Sequence, residues 1–351
     1  MGDFANSGFR YPSTRYTGSK RRFLEWIKEN SDTIKFDTVL DLFGGTASVS
    51  LLFKRYGKQV SYNDFLASNQ IVAKAIVEND GITISDKDLA SVFSKTQKRY
   101  PNFIQNTYKN VFFLDEENAW LDQAITNINK IDNEYKRAIL MASLFQACLA
   151  KRPFNLFHRA NLYIRTNDVK RTFCNKTTWE RSFEELVSRY VKEYNNAVFS
   201  NKRNNRVIGG YNAAKSPNGV DLVYMDPPYF SEHMTQGTNY LAYYHFLEGL
   251  ADYKNWKNRL GKDTGKVKRM EDSEEVYSFT RKDRVLETFE KLIKRFQHTQ
   301  LIISYQSNGI PSKEQIIEML HNGGKKVKVY EKPHKYALSR RQTNELLFVA
   351  T

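Results

Sequence analysis

Residues 221–230 read Asp221-Leu222-Val223-Tyr224-Met225-Asp226-Pro227-Pro228-Tyr229-Phe230. The apolar run ahead of Asp226 predicts a buried strand. Two successive prolines cannot continue a central strand, because neither has an N–H for the ladder and both fix φ. The chain therefore leaves the sheet at Asp226, at the strand's C-terminal end, where open α/β sheets place their ligands. Neither proline has an N–H to compete for the Asp226 carboxylate, and the Pro227 carbonyl has lost its ladder position. Two acceptors side by side on a stiff backbone, flanked by aromatic rings, suit an exocyclic amino group on a flat heterocycle. A lone Pro-Pro pair more often marks a strand-ending turn with a buried tyrosine. The rest of the chain decides between the two.

Upstream, Thr38-Val39-Leu40-Asp41-Leu42-Phe43 predicts a second buried strand. Gly44-Gly45-Thr46-Ala47 follows, and then a helix carrying Val49, Leu51, Leu52 and Phe53. Strand, glycine turn and helix form a nucleotide-binding arrangement, in which glycines let a ligand approach the backbone. No Gly-Lys-Ser/Thr closes the turn, and it is not a full Gly-x-Gly-x-x-Gly, so it suits a nucleoside better than a pyrophosphate. A strand at Gln59–Tyr62 ends at Asn63-Asp64. An acid about 20 positions after such a turn is placed to catch ribose hydroxyls; Asp64 also fits the N-cap of the next helix, and the preceding turn puts the ribose role first. Near the N-terminus, Arg15-Tyr16-Thr17-Gly18-Ser19-Lys20 precedes a helix with Phe23, Trp26 and Ile27 at helical spacing. A Gly-Ser-Lys turn at a helix start can hold an anion or a carboxylate.

Between about 78 and 200 the alternation of strand and helix stops. Helices are expected over 88–98, 118–131 and 134–150, the last with Cys148 as a core residue. Residues 151–176 then hold seven Lys/Arg and one acid, Asp168, interleaved with aromatics and asparagines. Leu162–Arg165, Thr166-Asn167-Asp168 and Val169–Phe173 read as a β-hairpin. Lys151, Arg152, Arg159, Asn161, Arg165, Lys170 and Arg171 are thus candidates for DNA phosphates and base edges. Lys202 and Arg203, in a short basic loop, form a second group. The βα rhythm resumes with strands at Val207-Ile208, 221–225 and 299–305 and helices over 240–250 and 284–296. Ser312 and Gln315 form a capping box for a helix ending near Gly323. Residues 254–284, dense in mixed charge, are expected to be a mobile loop. Strands at 327–330 and 345–350 are expected to close the chain as a hairpin.

Hydrophobic content of 40% with 26% charged residues describes a soluble globular chain of 351 residues. A net charge of +15 points to a polyanionic partner. Cys148 and Cys174 make neither a metal spacing nor a disulfide framework, and six histidines are scattered, so no metal is expected. The cysteine usage fits a reducing cytoplasm. No run approaches the ~18 apolar residues of a membrane helix, and no signal pattern opens the sequence.

In motif order, Tyr16-Thr17-Gly18-Ser19-Lys20, then Asp41-Leu42-Phe43-Gly44-Gly45-Thr46, Asp64 and Asp226-Pro227-Pro228-Tyr229, the chain resembles the alpha group of amino-methyltransferases, the DNA adenine methylase family. The resemblance covers essentially the whole sequence. It implies an α/β fold: a Rossmann-like S-adenosylmethionine-dependent methyltransferase sheet with a terminal antiparallel strand and a mainly helical inserted target-recognition domain. Residues 1–77 and 200–351 would be catalytic, and 78–199 the insertion with its basic hairpin near 160–175. The family pattern puts Asp41, Phe43, Gly44, Gly45 and Thr46 along the methionine and adenosine of S-adenosylmethionine. Asp64 falls on the ribose, with Tyr16, Gly18 and Lys20 over the methionine end and Asp226 beside the methyl group. Asp226, Pro227 and Tyr229 would be catalytic, and Asp226, Pro227, Pro228, Tyr229 and Phe230 would hold the target base. Two positions depart from the pattern. Ala47 stands where a last glycine is usual, and the acid that often follows the third strand is missing, leaving Asn212 as its candidate replacement.

The implied reaction is methyl transfer to adenine N6 in double-stranded DNA after base flipping, with no metal. It would serve a restriction-modification system beside a companion restriction endonuclease, or a solitary methylase, in a prokaryotic or phage-infected cytoplasm. Serine at the head of the tetrad marks cytosine-N4 enzymes and asparagine marks protein-glutamine ones, so Asp226 favours adenine. A cytosine-N4 methyltransferase and a non-catalytic DNA-binding subunit on the same scaffold are the alternatives.

Overall fold

The run Leu222–Met225 forms strand β4, and all four of its residues are buried. Burial on both faces is why it reads as continuously apolar rather than alternating. The computed structural model describes residues 9–167, 176–210, 212–231, 233–262, 264–334 and 343–351. Beside β4 lies β1 (Thr38–Asp41), parallel, with Val39 opposite Leu222 and Asp41 opposite Tyr224. Parallel strands β2 (Gln59–Tyr62) and β3 (Arg206–Val207) extend the sheet past β1. On the other side β4 pairs with β5 (Gln300–Gln306), also parallel. Two antiparallel strands, β7 (Thr343–Ala350) and then β6 (Val327–His334), complete the order β3-β2-β1-β4-β5-β7-β6. This is the expected mostly parallel sheet with an antiparallel end.

The chain runs outward from β1 in one direction through β2 and β3, and outward from β4 in the other through β5. The carboxyl ends of β1 and β4 are therefore the topological switch point, the crevice in which such sheets bind ligands. Asp41 ends β1, and Asp226 directly follows β4. Leu40, Val223, Met225, Ile303 and Phe348 pack with Phe289, Leu292 and Ile316 in one core. Val39 and Tyr224, one residue out of phase, are buried on the opposite face.

The chain divides into two compact units at Gly18/Ser19, Gln70/Ile71, Ser200/Asn201, Tyr240/Leu241 and Glu271/Asp272. The sheet unit comprises Ser19–Gln70, Asn201–Tyr240 and Asp272–Thr351. The other holds Ile71–Ser200, Leu241–Glu271 and the segment ahead of Ser19. Residues 241–271, expected with the catalytic domain, thus fall in the second unit.

That second unit is helical among its described residues, around Glu134–Lys151, which is buried on nearly every face from Ala138 onward. Three local expectations differ. Tyr163–Thr166 is a helical turn, not the first arm of a hairpin; the expected second arm, Val169–Phe173, lies outside the described residues. Helix Phe183–Asn195 went unread, although Ser182 and Glu185 form a capping box that marks its start. The segment 254–284 is not a bare loop. Trp256 and Met270 are buried in one unit, and helix Glu274–Thr280 buries Val276 and Phe279 in the other.

Candidate active site

Because the two prolines take the chain out of the sheet, Asp226 stands at the end of β4 with its side chain only 14% exposed. Lys20, the first residue of the 3₁₀ turn Lys20–Phe23, is buried against it, with Nζ 2.7 Å from Asp226 Oδ1. The same Nζ lies 3.4 Å from Glu345 Oε1, on β7. Tyr229 donates its hydroxyl to Glu345 Oε1 at 2.5 Å, and Ser304 on β5 donates to the same oxygen at 2.7 Å. The Tyr229 ring lies under Lys20 Nζ, 4.7 Å from its centroid, and meets Tyr305 edge-on at 5.0 Å. Burial raises the Asp226 pKa; Lys20 opposes this and Glu345 adds to it, leaving it at about 6. For Lys20, burial disfavours the charge, but Asp226 and Glu345 outweigh it and raise its pKa. At neutral pH the site is therefore an ammonium beside an ionised but unusually basic carboxylate.

Asp41, at the end of the neighbouring strand, is almost fully buried. Ser50 donates to its Oδ2 at 2.7 Å, while Oδ1 has no hydrogen-bond partner. Burial pushes its pKa up to about 7, Ser50 opposing and the charges of Asp226 and Asp64 adding to the rise. An unpartnered buried acceptor at the switch point is what a ligand's ammonium or hydroxyl would satisfy.

The glycine turn is built from inside the protein. A Cβ on Gly44 would sit 2.0 Å from the Tyr62 ring, so ring packing already demands glycine there. Gly45 has φ +50° and donates its N–H to Asp64 Oδ2 at 2.9 Å, while Asp64 Oδ1 accepts from Leu66 N–H at 2.8 Å. Asp64 thus pins the turn and ties the backbone just ahead of helix Ala67–Ala73. Ala47 takes φ +58°, the left-handed conformation a glycine would adopt without strain. Thr46 joins Ser19 and Ser48 in a hydroxyl cluster at 2.8–3.5 Å, and Phe43 packs edge-on against Phe279 at 5.3 Å. Asn212 accepts from Ala214 N–H at 3.0 Å, capping a short 3₁₀ turn. It also helps lower the pKa of Glu275, after that residue's own backbone N–H and Ser273.

Several expected site residues are placed elsewhere. Phe230 is 0% exposed within the core, its carbonyl accepting from Ile310 N–H at 2.8 Å, so it cannot stack on a base. Tyr16 and Gly18 belong to the second unit, where Tyr16 stacks on Tyr244 at 4.1 Å and Thr17 N–H donates to the Tyr244 hydroxyl at 2.7 Å. Four proposed DNA contacts are internal ties of that unit. Lys151 Nζ is 2.7 Å from Glu117, and Arg165 grips the same carboxylate through two bonds of 2.9 and 2.8 Å. Arg152 is 1% exposed, stacked over Phe112 and bonded to the carbonyls of Leu156 and Arg159 and to Asn161. Arg159, Lys202 and Arg203 are exposed, whereas Lys170 and Arg171 lie outside the described residues.

A measurable consequence separates the two roles. Removing one partner of a buried pair costs about 3–5 kcal/mol, so Arg165→Ala should lower the thermal unfolding midpoint markedly. The DNA affinity of the folded fraction should change little. A large affinity loss without loss of stability would restore Arg165 to the DNA surface.

Glu345 is the residue that sequence reading missed; it lies in an apolar strand over a hundred positions from Asp226, and only the strand pairing brings it back. Among the described residues no group of three His, Cys, Asp or Glu could hold a metal, and no helix is long and apolar enough to cross a membrane. Comparison with known proteins gives one answer. The Type II methyltransferase M2.HphI of Haemophilus parahaemolyticus is 29% identical over 97% of this chain and 98% of its own. M.FokI of Planomicrobium okeanokoites is 26% identical over 93% of this chain, which spans half of that longer protein. M.NlaIII of Neisseria lactamica is 23% identical over 88% of each. The model of the D12 class N6 adenine-specific DNA methyltransferases matches residues 16–319. The chain belongs to that family, whose members methylate adenine N6 in DNA with S-adenosylmethionine as the methyl donor.

Proposed function

We propose that the target adenine is methylated at the C-terminal end of β4, where Asp226 and the Pro227 carbonyl accept from its amino group and Tyr229 stacks on its ring. The observation that carries this reading is the buried, basic Asp226 at the switch point, beside Asp41, whose Oδ1 has no hydrogen-bond partner. The donor's sulfonium, when bound, supplies an electrophilic methyl group. Asp41 Oδ1, Phe43, the turn at Gly44–Thr46 and Asp64 are the residues that would hold it.

Adenine N6 is a poor nucleophile because its lone pair is delocalised into the ring. Hydrogen bonds from its two N–H groups to Asp226 and Pro227 favour a localised lone pair and stabilise the positive charge that develops on nitrogen. Asp226, with a pKa near 6, is ionised at neutral pH yet basic enough to take the departing proton. The base is out of reach inside a duplex and must be flipped, for which the Tyr229 face is the platform. Holding base and donor in line supplies most of the remaining acceleration.

The second unit, with 151–176 and the exposed Arg159, is assigned to target recognition, and Lys202 and Arg203 to the DNA backbone. The net charge of +15 supports both assignments. The Type II relatives favour a role in restriction-modification beside a companion endonuclease, in the cytoplasm. Mapping modified bases in plasmid DNA treated with enzyme and donor tests the reading. N6-methyladenine at one recurring sequence is expected, and N4-methylcytosine alone would overturn it.

A further inference from the structure

We propose that Glu345 is a positioning residue of the methyl-transfer site, fixing the Tyr229 ring and sharing Lys20 with Asp226. The inference rests on the roles given above to Asp226 and Tyr229. Glu345 is 1% exposed in β7, between Asn344 and the apolar run Leu346–Ala350. An apolar residue would complete that strand at less desolvation cost. Instead one oxygen, Oε1, gathers the Tyr229 hydroxyl, the Ser304 hydroxyl and Lys20 Nζ at 2.5, 2.7 and 3.4 Å.

Two consequences follow. Anchoring the phenol sets the plane of the Tyr229 ring before a base arrives, so the stacking platform is preorganised. Sharing Lys20 leaves two buried carboxylates to one ammonium, and the excess negative charge favours the cation that develops on N6. With Lys20 bound to Asp226 alone, the acceptor would be neutralised. The titratable groups around Asp226 are Lys20, Asp41, Tyr224, Tyr229 and Glu345, and only the last is altered in the first variant.

Glu345→Gln in the full chain keeps an acceptor for Tyr229 and Ser304 but removes the charge. It should lower kcat roughly tenfold with little change in KM for S-adenosylmethionine. The acid limb of the kcat–pH profile should move down by roughly one unit, because a charge that raises the Asp226 pKa is gone. A variant with a wild-type acid limb overturns the electrostatic role, even if it is less stable. Tyr229→Phe keeps the ring and removes the hydroxyl that bonds Glu345 and also reaches Asp226. It should lower kcat several-fold at unchanged KM for the donor, and a wild-type kcat overturns the orienting role, whether or not Glu345→Gln folds. Asp226→Ala is the control. If it still turns over, the site assignment itself fails; if it is dead while both other variants behave as wild type, only the Glu345 inference fails.

Discussion

Asp226→Ala should abolish methyl transfer while leaving the donor bound. The carboxylate is at once an acceptor for the N6 amino group and the base for its proton, and loss of such a group lowers kcat by roughly 10³-fold or more. The remaining site is little disturbed. Lys20 keeps Glu345 as a counter-ion, so no buried cation is left alone, and Asp41 and the glycine turn are held by Ser50, Asp64 and Tyr62 rather than by Asp226. Single-turnover transfer of a labelled methyl group to duplex DNA, with calorimetric binding of S-adenosylmethionine in parallel, separates the two effects. Turnover within tenfold of the wild type would refute the mechanism. The wild-type enzyme carries a related signature. The Asp226 pKa is raised to about 6 in the ligand-free protein, so kcat/KM should fall as pH drops through that value rather than through the ordinary carboxylate range near 4.

How much of this was readable beforehand depends on how far apart the contributing residues lie in sequence. The strand at 222–225 and its exit at Asp226 are dictated by an apolar run followed by two prolines, so fold and reaction centre were legible together. The turn after β1 was legible as a turn, but the packing inside the protein that also demands its glycines was not. Gly44 is required by the Tyr62 ring, and the N–H of Gly45 is taken by Asp64. The basic stretch at 151–176 misled because a count of cations does not say which ones are buried. Lys151 and Arg165 are held by Glu117, well upstream in the chain, and Arg152 by carbonyls, which no side-chain pattern records. Tyr229 and Phe230 are adjacent aromatics with opposite fates. One keeps its hydroxyl on Glu345 at the site, while the other fills the core between Gly237 and Tyr305. Alternation after a strand exit cannot be predicted, because the backbone is no longer extended.

Asp41→Asn should make the ligand-free protein more stable and the enzyme worse. The Asp41 pKa is about 7 in the folded protein against 3.8 for the free side chain, so the folded state prefers the protonated acid. That preference makes the ionised form a liability worth roughly 4 kcal/mol, fully present above pH 7 and gone below about pH 4. Asparagine removes the charge and still accepts from Ser50, but it puts an N–H where Oδ1 now lacks a partner, which costs about 1–3 kcal/mol. The net gain at pH 8 is therefore roughly 2 kcal/mol, vanishing between about pH 5 and 6 and reversing as the pH falls toward 4. Binding should move the other way. If Oδ1 is left open for a donor group of S-adenosylmethionine, the amide presents the wrong polarity there, and affinity should drop at least tenfold, as expected for an unpaired charged group. Opposite signs in stability and affinity are what a site kept strained for its ligand produces. Denaturant unfolding at pH 8 and pH 5, with donor binding at pH 8, reads both. Equal stability of variant and wild type at pH 8, or unchanged affinity, would show that Asp41 is buried for some reason other than the ligand.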